Sequence, residues 1–364
     1  MDRAAGVRHV WTVDDPTAEA AEERLVEILN DGCLGLMLAL GHRTGLLAVL
    51  AQASTPPTAA ELAASAGLQE RYVREWLGAM AVGRLVAHDP QTGRYRLPAA
   101  HADLLTDEGD ANVAAFAQYL AVLAGVEDEL VGCFRHGGGV PYSSYPRFQE
   151  VMEADSAQTV VAALLDDVLP MVPGLAGRLT AGIDVLDVGC GRGRALAVLA
   201  RQFPRSRFHG LDLSQEAIDH LRAEHADLPS LEGRVGDAAV LPAPWGAQSF
   251  DLVTTFDAIH DQADPLAVVR GIREALRPDG VYLAQDINTS GTHAGDLDHP
   301  LGPFIYTIST MHCLTVSLAR GGTGLGAAWG RPAAEALLAE SGFSSVSTHL
   351  LPHDAQNAWY VAWP

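Results

Sequence analysis

From Asp184 onward the chain alternates between short apolar runs and longer segments of helical period: DVLDVG, RALAVLARQF, RFHGLDL, QEAIDHLRAEHA, LEGRVGDA, FDLVTTF, PLAVVRGIREAL and GVYLAQDI. Runs of four to eight apolar residues between helical segments read as strands joined by helices. Parallel neighbours need a crossover of about a dozen residues, and the intervening segments have that length. This half is therefore confined to the α/β class, a doubly wound parallel sheet with helices on both faces. RPAAEALLAESGF reads as one more helix. SSVSTHLL and NAWYVAWP then read as two strands around a short Pro/Asp turn, so the sheet ends in an antiparallel hairpin.

The first hundred residues obey other periods. Residues 17–52 are helix-rich, and Ser54-Thr55-Pro56-Pro57 breaks them. In TAAELAASAG, Thr58 and Glu61 have capping-box spacing and Gly67 sits where a helix would end. A helix over about 69–82 follows, then RLVAHD–PQTG–RYRL, two alternating runs around a Pro/Gly turn. Helix, turn, helix, hairpin is the order of a winged helix. The expected domains are a helical and winged-helix domain over 1–100, a helical linker and pocket cover over 101–180 around HGGGVPYSSYP, and an α/β domain over 181–364 with an insert at 288–330.

Composition removes several functions. Formal charge is −21, and all 24 basic residues are arginine. Without lysine there is no P-loop phosphate contact, Schiff-base chemistry or kinase strand lysine. The acidity opposes nucleic-acid binding, which depends on clustered basic side chains. Arg71 and Arg74 on the second winged-helix helix are offset by Glu70 and Glu75. Cys33, Cys133, Cys190 and Cys313 lie far apart with no CxxC pair, which suggests reduced thiols and a cytoplasmic protein. The opening MDRAAGVRHVWTVDDP has no apolar core of a signal peptide. The apolar stretch from Cys33 to Leu50, broken by His42 and Arg43, is expected to be a buried helix and not a membrane span.

The chemistry concentrates at strand ends. Asp187-Val188-Gly189-Cys190-Gly191-Arg192-Gly193 follows a strand and opens a helix, where glycines let backbone approach a ligand. Arg194 stands where a dinucleotide fingerprint needs a third small residue. Asp212 ends the next strand, about twenty residues on, and suits two ribose hydroxyls. Gly236-Asp237-Ala238 ends the third, where a carboxylate or amide could meet an adenine amino group. A nucleoside ligand without a pyrophosphate fits these features. DVGCGRG, GLDLS, GDA and FDAIHD, in this order and with the terminal hairpin, resemble a class I S-adenosylmethionine-dependent methyltransferase over about residues 180–364. The winged helix resembles that of bacterial small-molecule methyltransferases, where it serves dimerisation.

That resemblance implies a seven-stranded Rossmann-like sheet, S-adenosylmethionine as cofactor with S-adenosylhomocysteine as product, a small-molecule substrate and a homodimer. It puts Asp187 and Gly189, with Gly191 and Gly193 in the same loop, by the methionine part. Asp212 and Leu213 lie by the ribose, Asp237 and Ala238 by the adenine, and Phe256 and Asp257 beside the sulfonium, which carboxylates and aromatic faces favour. AIHDQAD resembles the His-Asp segment of plant-type O-methyltransferases. His260, with Asp261, is then a general base for a hydroxyl, a substrate orienter, or a structural cap. Tyr142 and Tyr145 are candidates to close over the ligands. Phe304, Tyr306, Met311 and His312 in the insert are candidate pocket walls. His293, Asp296, Asp298 and His299 have ligand chemistry but read as a solvated loop, and no metal is expected. A transcription regulator with a methyltransferase-like sensing domain, and a cofactor-binding enzyme of non-methyl chemistry, are the competing readings.

Overall fold

The computed structural model describes residues 15–107, 112–352 and 354–364. Almost all of the opening segment read above for a leader lies outside the described residues. The chain divides into two compact units, Met1–Ala102 and Asp103–Pro364.

In the first unit, α1 (Ala18–Arg43) starts at Thr17, whose hydroxyl accepts from the Ala20 amide at 3.2 Å. It stops at Thr44-Gly45, and α2 (Leu46–Ala51) begins a new direction. The Cys33–Leu50 run is therefore not one buried helix. Leu46, Leu47 and Leu50 are buried, but Leu36 and Leu40 on α1 are exposed, as are Leu25, Val26, Ile28 and Leu29. By length and composition α1 could cross a bilayer, the only described helix of which that holds. α3 (Ala59–Ala66) carries the expected capping box, with Glu61 N donating to Thr58 Oγ1 at 3.3 Å and Thr58 N to Glu61 Oε2 at 2.8 Å. Gly67 ends it in the left-handed region at φ 68°. α4 (Glu70–Val82) buries Val73, Trp76, Leu77 and Met80. The hairpin β1 (Ala87–Asp89) and β2 (Arg94–Arg96) follows, antiparallel.

The second unit holds seven strands: β3 (Asp184–Val188), β4 (Arg207–Asp212), β5 (Leu231–Val235), β6 (Phe250–Phe256), β7 (Leu276–Ile287), β8 (Ser345–His349) and β9 (Asn357–Trp363). Their order is β5-β4-β3-β6-β7-β9-β8, parallel except where β9 pairs with β7 and β8. The predicted terminal hairpin thus inserts its second strand into the sheet and leaves β8 at the edge. Strand alternation feeds two cores. Val185, Leu252, Leu283 and Trp359 face one layer, with Leu196 of the helix Arg194–Gln202. Leu186, Val253, Tyr282 and Tyr360 face the other, with Ile272 of the helix Pro265–Ala275. The chain winds outward through β3, β4 and β5, then restarts on the other side of β3 at β6. Such a switch point opens a crevice at the carboxyl ends of β3 and β6.

Candidate active site

The crevice is a cavity of about 920 Å³. Tyr142, Tyr145, Asp187, Gly189, Gly191, Gly193, Asp212, Leu213, Ala238, Phe256, Asp257 and Asp261 line it, so the sheet topology unites residues from more than a hundred positions of sequence. Gly189 is at φ 76°, and a Cβ there would meet the Ala258 methyl at 2.4 Å. At Gly193, φ 77°, a Cβ would lie 2.3 Å from Leu221 Cδ1. Both positions need glycine for backbone hand and for space. Asp212 itself holds the loop, accepting from Gly191 N at 2.9 Å and from Ser214 N at 2.8 Å.

Four carboxylates crowd this end of the sheet. Asp187 is buried and accepts from Thr254 Oγ1 at 2.7 Å. Burial pushes its pKa up to about 7; the Thr254 bond opposes the rise, and Asp212 adds to it. Asp212 is also raised, by burial, with backbone amides opposing. Asp257 is held at φ 50° and accepts from Gln285 Nε2 at 2.9 Å. Burial, then Asp155, puts it well above the carboxylate range. Asp155, which the sequence reading passed over, accepts from Tyr119 Oη at 2.8 Å and is raised by burial to about 6. Desolvation disfavours each anion, and clustering compounds it. A cation entering the cavity would relieve both penalties.

His260 is buried behind the lining at the end of β6 and does not itself line the cavity. The sequence paired it with Asp261. Its Nδ1 instead lies 2.7 Å from Asp286 Oδ1 at the end of β7, and Asp261 Oδ1 faces Nε2 at 3.4 Å. Asp286 Oδ1 also accepts from Trp329 Nε1 at 3.0 Å and from Ile287 N at 2.8 Å. Burial pulls the imidazole down, but Asp286 and Asp261 outweigh it and hold His260 well above the usual histidine range. Asp286 was missed; its position at the carboxyl end of a strand next to β6 was the available signal.

Several nominated residues lie elsewhere. Asp237 is outside the lining; it caps Ala238–Val240 and ion-pairs with Arg320 at 2.5 Å. Phe304 does not form a cavity wall, because it packs edge-on against Phe116 and Tyr119. Tyr306 turns away to donate to Asp296 Oδ2 at 3.0 Å. Met311 is also outside the lining, and its carbonyl accepts from Tyr145 Oη. His312 is buried one layer back, stacked on Phe148 with ring centroids 3.6 Å apart, and burial lowers it to about 4. In the insert loop, Asp296 accepts from Ser290 N at 2.7 Å and His293 packs on Tyr306, which is a structural arrangement.

Comparison with known proteins agrees with this architecture. Residues 179–310 match the model of a methyltransferase domain, and residues 32–107 that of an Rv2258c-like winged HTH domain. A "Probable S-adenosylmethionine-dependent methyltransferase" of Mycolicibacterium smegmatis is 36% identical over 124 residues, 34% of this chain and 45% of that protein. A fatty-acid O-methyltransferase of the same organism is 35% identical over 105 residues, 29% of this chain and 37% of that protein. The chain thus spans less than half the length of these two relatives. Human N-acetylserotonin methyltransferase, solved with S-adenosylmethionine, shares the fold at a TM-score of 0.69 and 17% identity, covering 97% of this chain and 99% of that one. The chain thus carries a methyltransferase domain over residues 179–310 and an Rv2258c-like winged HTH domain over residues 32–107.

Proposed function

We propose that the protein transfers a methyl group from S-adenosylmethionine to a small, partly apolar acceptor, through a hydroxyl oxygen. The observation that carries this reading is the glycine loop at the β3–β6 switch point, with Asp187, Asp212 and Asp257 turned into one cavity. The cofactor supplies an electrophilic methyl carried on a cationic sulfur. Gly189 and Gly191 let backbone approach its methionine part, while Asp187 meets positive charge there. Asp212 and Leu213 receive the ribose, and Ala238 borders the adenine. Asp257 and Phe256 favour the sulfonium electrostatically. Tyr142 and Tyr145 cover the opposite wall.

His260 would serve as orienter for the acceptor hydroxyl or, in its neutral form only, as its general base, since Asp286 and Asp261 favour the imidazolium. Its Nδ1–Asp286 bond fixes the ring and leaves Nε2 as the functional nitrogen. Two measurements test the reading. S-adenosylhomocysteine should bind the wild-type chain and bind Asp187→Asn more weakly; no binding to either would refute the cofactor assignment. Full turnover of His260→Ala at saturating acceptor would remove the base role.

We also infer a homodimer through the first unit. Leu25, Val26, Ile28 and Leu29 expose one apolar stretch of α1, and a second copy of α1 is its self-complementary occupant. Leu25→Glu with Leu29→Glu should shift sedimentation from dimer to monomer. A wild-type monomer at tens of micromolar would exclude the dimer. A cytoplasmic location is our inference from four separated free cysteines, tested by fractionating the producing cell.

A further inference from the structure

At the cavity floor and just behind it, the segment after β6 and the insert helix bring together four side chains that the transfer reaction does not need as a group. We propose that His260, Asp261, His312 and Cys313 form a closed binding site for a transition-metal dication of the zinc class. Donor atoms of His260, Asp261 and Cys313 lie within 4.8 Å of one another, the one such group among the described residues. His260 Nε2 is 3.4 Å from Asp261 Oδ1, and His312 Nδ1 is 3.7 Å from Asp261 Oδ2. Tetrahedral zinc with bonds of about 2.0–2.3 Å sets its donors roughly 3.3–3.8 Å apart. The two His–Asp separations match that spacing, while His312 lies outside the group of three donors within 4.8 Å of one another and joins the shell by a shift toward it.

Three further observations point to a cation. Asp261 Oδ1 and both nitrogens of His312 are buried without any hydrogen-bond partner. Buried polar atoms are nearly always paired, and a metal ion is what would satisfy an imidazole and a carboxylate facing each other. Secondly, His260 Nδ1 is engaged by Asp286, itself held by Trp329. A carboxylate on the far nitrogen of a histidine is the usual way a protein fixes a metal-binding ring. Thirdly, His312 and Cys313 end a π-helical turn, Ser309–Cys313, an irregularity that recurs at functional sites. Mixed nitrogen, sulfur and oxygen donors select zinc-like ions over magnesium or calcium. His260, Asp261 and Cys313 supply three donors, and His312 Nδ1, 3.7 Å from Asp261 Oδ2, would supply the fourth on closing in, which would leave no open position for substrate.

The inference stands on donor geometry and does not depend on the methyltransferase reading. An ion at Nε2 would occupy the lone pair assigned above to the acceptor proton, so metal-loaded and base-competent forms exclude each other. The test uses the full chain, stripped with a chelator and titrated with Co²⁺, then Zn²⁺. The expected result is one ion per chain, intense visible bands of tetrahedral cobalt, a thiolate-to-cobalt band in the near ultraviolet, and displacement by zinc. Cys313→Ser should lose the thiolate band. Asp286→Asn, which leaves all four donors, should weaken binding roughly 10- to 100-fold. Weak binding with an octahedral spectrum, or no thiolate band in the wild type, would overturn the proposal, even if the variants fail to fold. S-adenosylhomocysteine binding, measured on the stripped chain, reads the cofactor assignment separately.

Discussion

Asp187 makes cofactor affinity a function of pH near neutrality. Its pKa of about 7 belongs to the ligand-free site, where burial raises it and the Thr254 bond opposes the rise. A cationic methionine end needs the anion. Affinity should therefore be flat above about pH 8 and fall as pH drops through 7, by close to tenfold, or about 1.4 kcal/mol, per unit. At pH 6 that is roughly a tenfold loss. The sign follows from protonation, since below its pKa Asp187 is neutral and offers the cation nothing.

Thr254→Val isolates the cause. A hydrogen bond to a charged group contributes about 1.5–3 kcal/mol. Losing it should move the midpoint up by about 1–2 units, taking the decline to pH 8 or above. The assay is calorimetric titration of S-adenosylhomocysteine from pH 5.5 to 8.5, comparing wild type and Thr254→Val. Asp212 and Asp257 are common to both proteins, so the displacement between the curves reports Asp187 alone. Identical curves, or Asp187→Asn binding as tightly as wild type at pH 8, would refute this account of the site.

Asp155 should cost the fold stability as pH rises. Its carboxyl is raised to about 6 from an ordinary 3.8, so its contribution is full below about pH 4 and gone above 6, a loss of about 3 kcal/mol. Urea unfolding at pH 5 and 8 should show a smaller pH dependence in Asp155→Asn than in wild type. Gly189→Ala should destabilise by about 2–4 kcal/mol, because left-handed backbone and a 2.4 Å contact with the Ala258 methyl add together. Chemical unfolding measures it, and S-adenosylhomocysteine binding should fall with it. Thr58→Ala removes half of a capping box and should cost about 1 kcal/mol, read from the unfolding of the first unit in the intact chain.

What the sequence revealed and what it hid divide along a physical line. Local rules carried far: the Thr58–Glu61 cap, the hairpin after α4 and the strand alternation from Asp184 each depend on neighbours within a dozen residues. The glycine loop was legible for the same reason, since the left-handed φ values of Gly189, Gly191 and Gly193 fall within seven residues. Asp286 and Asp155 were not, because each acquires its role only when the sheet closes. Asp286 is 26 positions from His260 and reaches it across the β6–β7 pairing. Asp155 sits on a helix before the sheet begins and meets Tyr119, 36 positions back, in a buried layer. The insert failed differently. Phe304 and Tyr306 have the composition of pocket walls, but composition does not fix which way a helix turns. A second aromatic layer of Phe116, Tyr119 and Phe148 captured Phe304 and His312. The same capture set His312 facing Asp261 with neither nitrogen satisfied, so the error about the pocket wall and the proposed metal site have one structural origin.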